Sequence, residues 1–139
     1  MTRPAGHRFL DPQGLLPPRG FSHVALPASG QLVFVAGQTA HGRDGRVQGA
    51  TMAEQFTAAA RNLRTALAAA GARTDHLVAL QIFVTDVGEY RASLGTIGGA
   101  WRELLGDRYP TVSLFEVSGL FDPHAKVELL ATAVIPHGG

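Results

Sequence analysis

Two glutamates stand inside apolar, strand-like runs: Glu116 within Ser113 to Val117, and Glu128 within Lys126 to Ile135. A carboxylate so placed either faces water at a sheet edge or lies in a cleft. In a cleft, desolvation raises its pKa and suits it to general acid–base work. Ser22 and His23 put a hydroxyl next to an imidazole in sequence. Neighbours along a strand point to opposite faces, so these two do not form a nucleophile–base pair, although His23 alone could line a pocket. His7, His41, His76, His124 and His137 show no ligand spacing such as His-Glu-x-x-His, and no metal site is expected. The chain has no cysteine, which excludes thiol nucleophiles, disulfides and cysteine metal sites. It has no GxGxxG or GxxxxGK[ST] loop; Gly98-Gly99 falls inside a helical pattern, and Tyr90 and Trp101 read as core residues.

The elements that position these residues can be read in order. Residues 1–19 carry four prolines and several glycines and read as an irregular lead-in, packed as an extended arm. Ser22 to Leu26 and Leu32 to Ala36 are strands joined by the turn Pro27-Ala28-Ser29-Gly30, which predicts a hairpin. Gly37-Gln38-Thr39 leaves the second strand, and Gly42 to Gly45 is a further turn. Thr51 to Ala70 is the clearest helix. Thr51 and Glu54 have capping-box spacing, Met52, Phe56, Ala59, Leu63 and Leu67 make one apolar face, and Gly71 closes the helix. Leu77 to Thr85 is a β-rich run. Asp86 with Glu89 opens a second helix, weakened by Gly95, Gly98 and Gly99 and ended by Gly106. Ser113 to Val117 and Lys126 to Ile135 are the last strands.

The order ββαβαββ predicts a single α+β domain: a mixed sheet with two helices on one face. The other face is left bare, and Phe34, Phe83 and the last strand supply apolar surface to it. Burial is worth about 25 cal/mol per Å², so that face is expected to meet a neighbouring subunit in a homo-oligomer. The 139 residues suit one core, with 45% hydrophobic and 17% charged residues. A net charge of +1, a single lysine and scattered arginines offer no footprint for nucleic acid. No apolar leader and no run of about 18 apolar residues is visible, so neither a signal peptide nor a membrane span is expected. A cytoplasmic protein is the expectation.

LVFVAGQT, the helix ending at Gly71, LQIFVTDVGEY, YPTVSLFEV and KVELLATAVIP fall in the order and spacing of the Rid family (YjgF-type, reactive-intermediate imine and enamine deaminases), which the chain resembles from residue 20 to 136, with GFSHV in support. The resemblance implies a chorismate-mutase-like fold, a homotrimer with sheets facing inward, and ligand clefts between subunits. It implies no metal or organic cofactor, and hydrolysis of imines or enamines to 2-oxo acids and ammonia. Glu128 matches the glutamate that positions or activates water. Gly37 and Gln38 match the Gly-Gln step, where Ala36 replaces a frequent serine. Deaminases of this family hold the substrate carboxylate with an arginine in a Pro-x-Arg-Ser stretch; here Pro110-Thr111-Val112-Ser113 puts Val112 in that place. Losing such a contact costs about 2–5 kcal/mol, roughly 30- to 5000-fold, so the standard 2-imino acids are not the expected substrates.

Two functions are compatible with this pattern. One is an Arg-less enzyme in which Glu128 handles water, with His23, Gly37, Gln38, Val112, Ser113 and Glu116 around the ligand. The other is a non-catalytic trimer that binds or senses a small, more hydrophobic molecule at Val112 and Ala36. The expected partners are a second and third copy of the chain and a small molecule, with no nucleic acid and no membrane.

Overall fold

The structure is a computed structural model that describes residues 6–138; residues 1–5 of the expected lead-in and Gly139 of the expected tail (137–139) lie outside the described residues. Among the described residues six strands form: β1 (Arg8–Leu10), β2 (Val24–Leu26), β3 (Gly30–Gln38), β4 (Leu77–Val84), β5 (Thr111–Glu116) and β6 (Val127–Pro136). Three α-helices accompany them: α1 (Met52–Ala69), α2 (Val87–Ala92) and α3 (Leu94–Leu105). The main sheet has the order β3-β6-β4-β5. Only β4 and β5 run parallel; β6 is antiparallel to both its neighbours. The sheet is therefore mixed, as expected.

α1 forms where the sequence places it. The Thr51 hydroxyl accepts from the Glu54 N–H, and the Glu54 carboxylate accepts from the Thr51 N–H, closing the capping box. Gly71 takes φ 77°, a left-handed conformation that suits glycine and ends the helix. Met52, Phe56, Leu63 and Leu67 are fully buried, each contributing about 1.5–3 kcal/mol by leaving water. Phe56 lies between Tyr90 and Trp101, with centroids at 6.3 and 6.1 Å.

Three expectations need correction. The predicted hairpin does not form: β2 pairs with β1, and β3 pairs with β6 from Gly30↔Pro136 to Gln38↔Leu129. The ten-residue β6 offers β3 a long register that a three-residue β2 cannot match. The lead-in is not wholly irregular, because Arg8–Leu10 is a strand and His7 is fully buried. The Ala28 N–H donates to His7 Nδ1, so the ring carries its proton on Nε2 and donates it to the Val134 carbonyl, fastening this segment to β6. The second helix is two helices, broken at Ser93, whose hydroxyl donates back to the Glu89 carbonyl just ahead of the poorly helical Gly95.

Strand alternation fixes what each face presents. Leu80, Ile82, Val84, Val127, Leu129 and Ala131 are buried beneath the helices. On the other face Phe34 is 77% exposed, Phe115 46% and Leu130 37%. Phe83 stacks on Phe115 there at 5.7 Å. Among the described residues no helix is long and apolar enough to cross a membrane.

Candidate functional site

Register divides the expected site residues between the two faces. Val112 pairs with Leu80, so it lies on the helix side, half-buried against the core. Glu128 pairs with Phe83 and Ser113 with Gln81, which puts both on the open face. One chain therefore does not bring Val112 and Glu128 together.

Glu128 is positioned by a bulge. Between Val35 and Gln38 the β3–β6 register shifts, and Gly37 comes to lie against the glutamate. A Cβ at Gly37 would stand 2.2 Å from Glu128 Oε2 and 2.6 Å from Cδ, so the missing side chain is what leaves room for the carboxylate. Gln38 turns its amide to the Ala36 carbonyl at 3.1 Å.

Val112 lines a mostly apolar cavity of about 260 Å³ between β5, α3 and the lead-in, with Phe21, Ile97, Trp101, Tyr109 and Leu114 among its walls. Burial pushes the Tyr90 phenol, also in this wall, up to about 12, which keeps it a neutral donor. The chain just after the lead-in is sewn to the cavity rim at Ser22: its N–H donates to the Pro110 carbonyl at 2.9 Å and its hydroxyl to the Tyr109 carbonyl at 2.7 Å. This seam sets Phe21 and Arg19 into the lining. The Arg19 guanidinium makes no hydrogen bond or ion pair among the described residues. No sequence spacing pointed to Arg19, because its position depends on how the lead-in folds back.

The two remaining candidates have partners in the protein. His23 stacks edge-on to Phe21 at 4.9 Å and bonds through Nε2 to the Leu16 carbonyl at 2.7 Å, while its N–H donates to Asp11. Glu116 accepts from the Val87 N–H at 2.8 Å, at the first residue of α2, where an acid suits the helix N-terminus. Among the described residues, no group of three or more His, Cys, Asp or Glu could hold a metal ion.

A mixed sheet with its helices on one face and an acid beside a bulge on the other makes an α+β domain. The family model described as endoribonuclease L-PSP matches residues 14–135, and the chain belongs to that family, the Rid or YjgF/YER057c/UK114 family. Among solved structures, the Rid-family protein YyfB from Yersinia pestis is 29% identical, covering 92% of this chain and 98% of that one with a TM-score of 0.82. Rv2704 from Mycobacterium tuberculosis is 28% identical over 93% and 99% of the two chains, TM-score 0.63. The YjgF protein of E. coli is 26% identical over 76% and 81%, TM-score 0.67. The mitochondrial protein mmf2 of Schizosaccharomyces pombe is 34% identical over 82 residues, and the match spans 59% of this chain and 61% of that relative.

Proposed function

We propose that this chain is an Arg-less Rid enzyme, a homotrimer that hydrolyses an apolar imine or enamine in clefts between subunits. The observation that carries the reading is the wall around Val112: where the resembling deaminases keep a cation, a half-buried valine joins aromatic and aliphatic side chains around about 260 Å³. Such a wall favours a flat, apolar ligand over a small imino acid, and Arg19 in the same lining offers charge at a different point. The exposed apolar face, with Phe34, Phe115 and Leu130, supports assembly. Opposite placement of Val112 and Glu128 supports a site shared between subunits, because assembly can bring one chain's Glu128 to a neighbour's cavity rim. Glu128 would hold a water against the iminium carbon; water adds, ammonia leaves, and a carbonyl compound remains.

Ammonia release from an aryl-substituted imine and from 2-aminoacrylate, each against a protein-free control, tests this. The aryl imine should be accelerated more, and Glu128→Gln should cost about 10²–10⁴ of that rate. Unchanged turnover in Glu128→Gln would remove the glutamate from the mechanism, and preference for 2-aminoacrylate would overturn the apolar assignment.

A further inference from the structure

A second chemical arrangement lies outside this cleft, where β3 runs into its loop. Thr39 and His41 flank a bend at Ala40, just past the end of β3, and their side chains meet there. The Thr39 hydroxyl bonds to His41 Nδ1, and His41 Nε2 lies 3.0 Å from Asp122 Oδ2 in the β5–β6 loop. Asp122 Oδ1 accepts from the His124 N–H at 2.8 Å. The His124 N–H and the His41 ring hold the Asp122 carboxyl below the usual carboxylate range, so it accepts only. In the neutral imidazole Nε2 then carries the hydrogen and donates to Asp122, and the Nδ1 lone pair takes the hydrogen bond from the Thr39 hydroxyl.

Two amides of α1, seven residues apart on one helix face, build the scaffold. Asn62 Nδ2 donates to the Thr39 and His41 carbonyls, both at 2.9 Å. The buried Gln55 donates to the His124 carbonyl at 3.0 Å and accepts from the Lys126 N–H at 2.7 Å. Both loops are thus tied to α1 through backbone groups as well as to each other through the side-chain relay. The His41 side chain is 35% exposed. With Thr39 it lines an open depression of about 460 Å³ that Gln38 and Arg43 also border. Arg43 makes no hydrogen bond or ion pair among the described residues.

We propose that Thr39, His41 and Asp122 form a hydroxyl–imidazole–carboxylate site that hydrolyses small activated esters, separately from the imine chemistry of Glu128. Thr39 Oγ1 attacks the ester carbonyl carbon while its proton passes to His41 Nδ1. The C–O bond to the alcohol breaks, and the alcohol leaves with that proton. Water then attacks the acyl-threonine, giving its proton to Nδ1, and the carboxylic acid departs as the proton returns to Thr39. One ester and one water become one acid and one alcohol. Asp122 is a positioning residue that keeps the tautomer, and the Arg43 guanidinium, which borders the same depression, would supply N–H groups for the oxyanion.

The probe is 4-nitrophenyl acetate with the full chain. Nitrophenolate release is followed by absorbance, and the acylated residue by peptide mass mapping. The expected result is release above the protein-free rate, with the acetyl group on Thr39. Thr39→Val should abolish labelling and return release to background, and Thr39→Ser should retain it. Asp122→Asn should lower kcat about 10²–10⁴-fold with KM held, because the amide favours the wrong tautomer. Acetyl found only elsewhere, such as on Lys126, or a Thr39→Val rate equal to wild type, would overturn the proposal. Should Thr39→Val lose its thermal transition, the wild-type mapping alone decides. Ammonia release plays no part in this readout, so its outcome is separable from that of the imine reading.

Discussion

Replacing Gly37 by alanine tests how Glu128 is held. The added carbon would meet the Glu128 side chain at 2.2 to 3.0 Å, far inside van der Waals contact, so the carboxylate must rotate away. Glu128 is a flexible side chain on the open face, so turning it aside costs about 0.5–1.5 kcal/mol, the scale of an off-rotamer side chain. Against that, exchanging glycine for alanine in a strand recovers about 0.5–1 kcal/mol of backbone entropy. Gly37→Ala in the wild-type background should therefore fall between about 0.5 kcal/mol stabilising and about 1 kcal/mol destabilising. With Glu128→Ala already present nothing needs to move, and Gly37→Ala should stabilise by up to about 1 kcal/mol. The coupling between the two sites is then about 0.5–1.5 kcal/mol, measurable by a double-mutant cycle on urea melts. Equal shifts in both backgrounds would refute the contact. Ammonia release assayed alongside should fall with Gly37→Ala even where the fold is intact.

Two further perturbations address assembly and acid stability. Phe34→Asp places a charge on the open apolar face, and sedimentation should show three-chain particles for wild type and single chains for the variant; a trimeric variant would place the interface elsewhere. Lys126 contacts both oxygens of Glu89 at 2.8 and 3.1 Å, and that bond, followed by the one from the Met52 N–H, holds the Glu89 carboxyl below its ordinary 4.5. A depressed carboxyl pKa stabilises above the unfolded value and loses that stability as pH falls through the folded one. Lys126→Met should thus cost about 0.5–1 kcal/mol at neutral pH and flatten the fall in melting temperature below pH 4.5; parallel wild-type and variant curves would contradict it.

What was legible in the sequence was local. The Thr51–Glu54 box, the apolar stripe of α1 and the Gly71 stop are written in adjacent residues, and each appears as read. The bare apolar face followed from strand composition. The partnering of β2 was not legible, since a turn signal says that the chain reverses but not which strand wins the hydrogen bonds. Val112 was singled out by resemblance, but its direction depends on register with Leu80 across the sheet. Glu116 looked like a strand acid of open purpose, and only the tertiary approach of α2 gives it the Val87 N–H. Arg19, and Asp122 beside His41, were beyond reach because each is joined to its neighbours by loops whose path no local pattern encodes.

The wall of the Val112 cavity contains Trp101, the only tryptophan in the chain, 5% exposed and 5.4 Å from the Tyr109 ring. One indole thus accounts for nearly all the near-ultraviolet emission and sits where a ligand would displace water or press on an aromatic neighbour. The protein carries a built-in optical gauge of that space: a compound library can be screened by emission wavelength and quenching before any substrate is known, with no label attached.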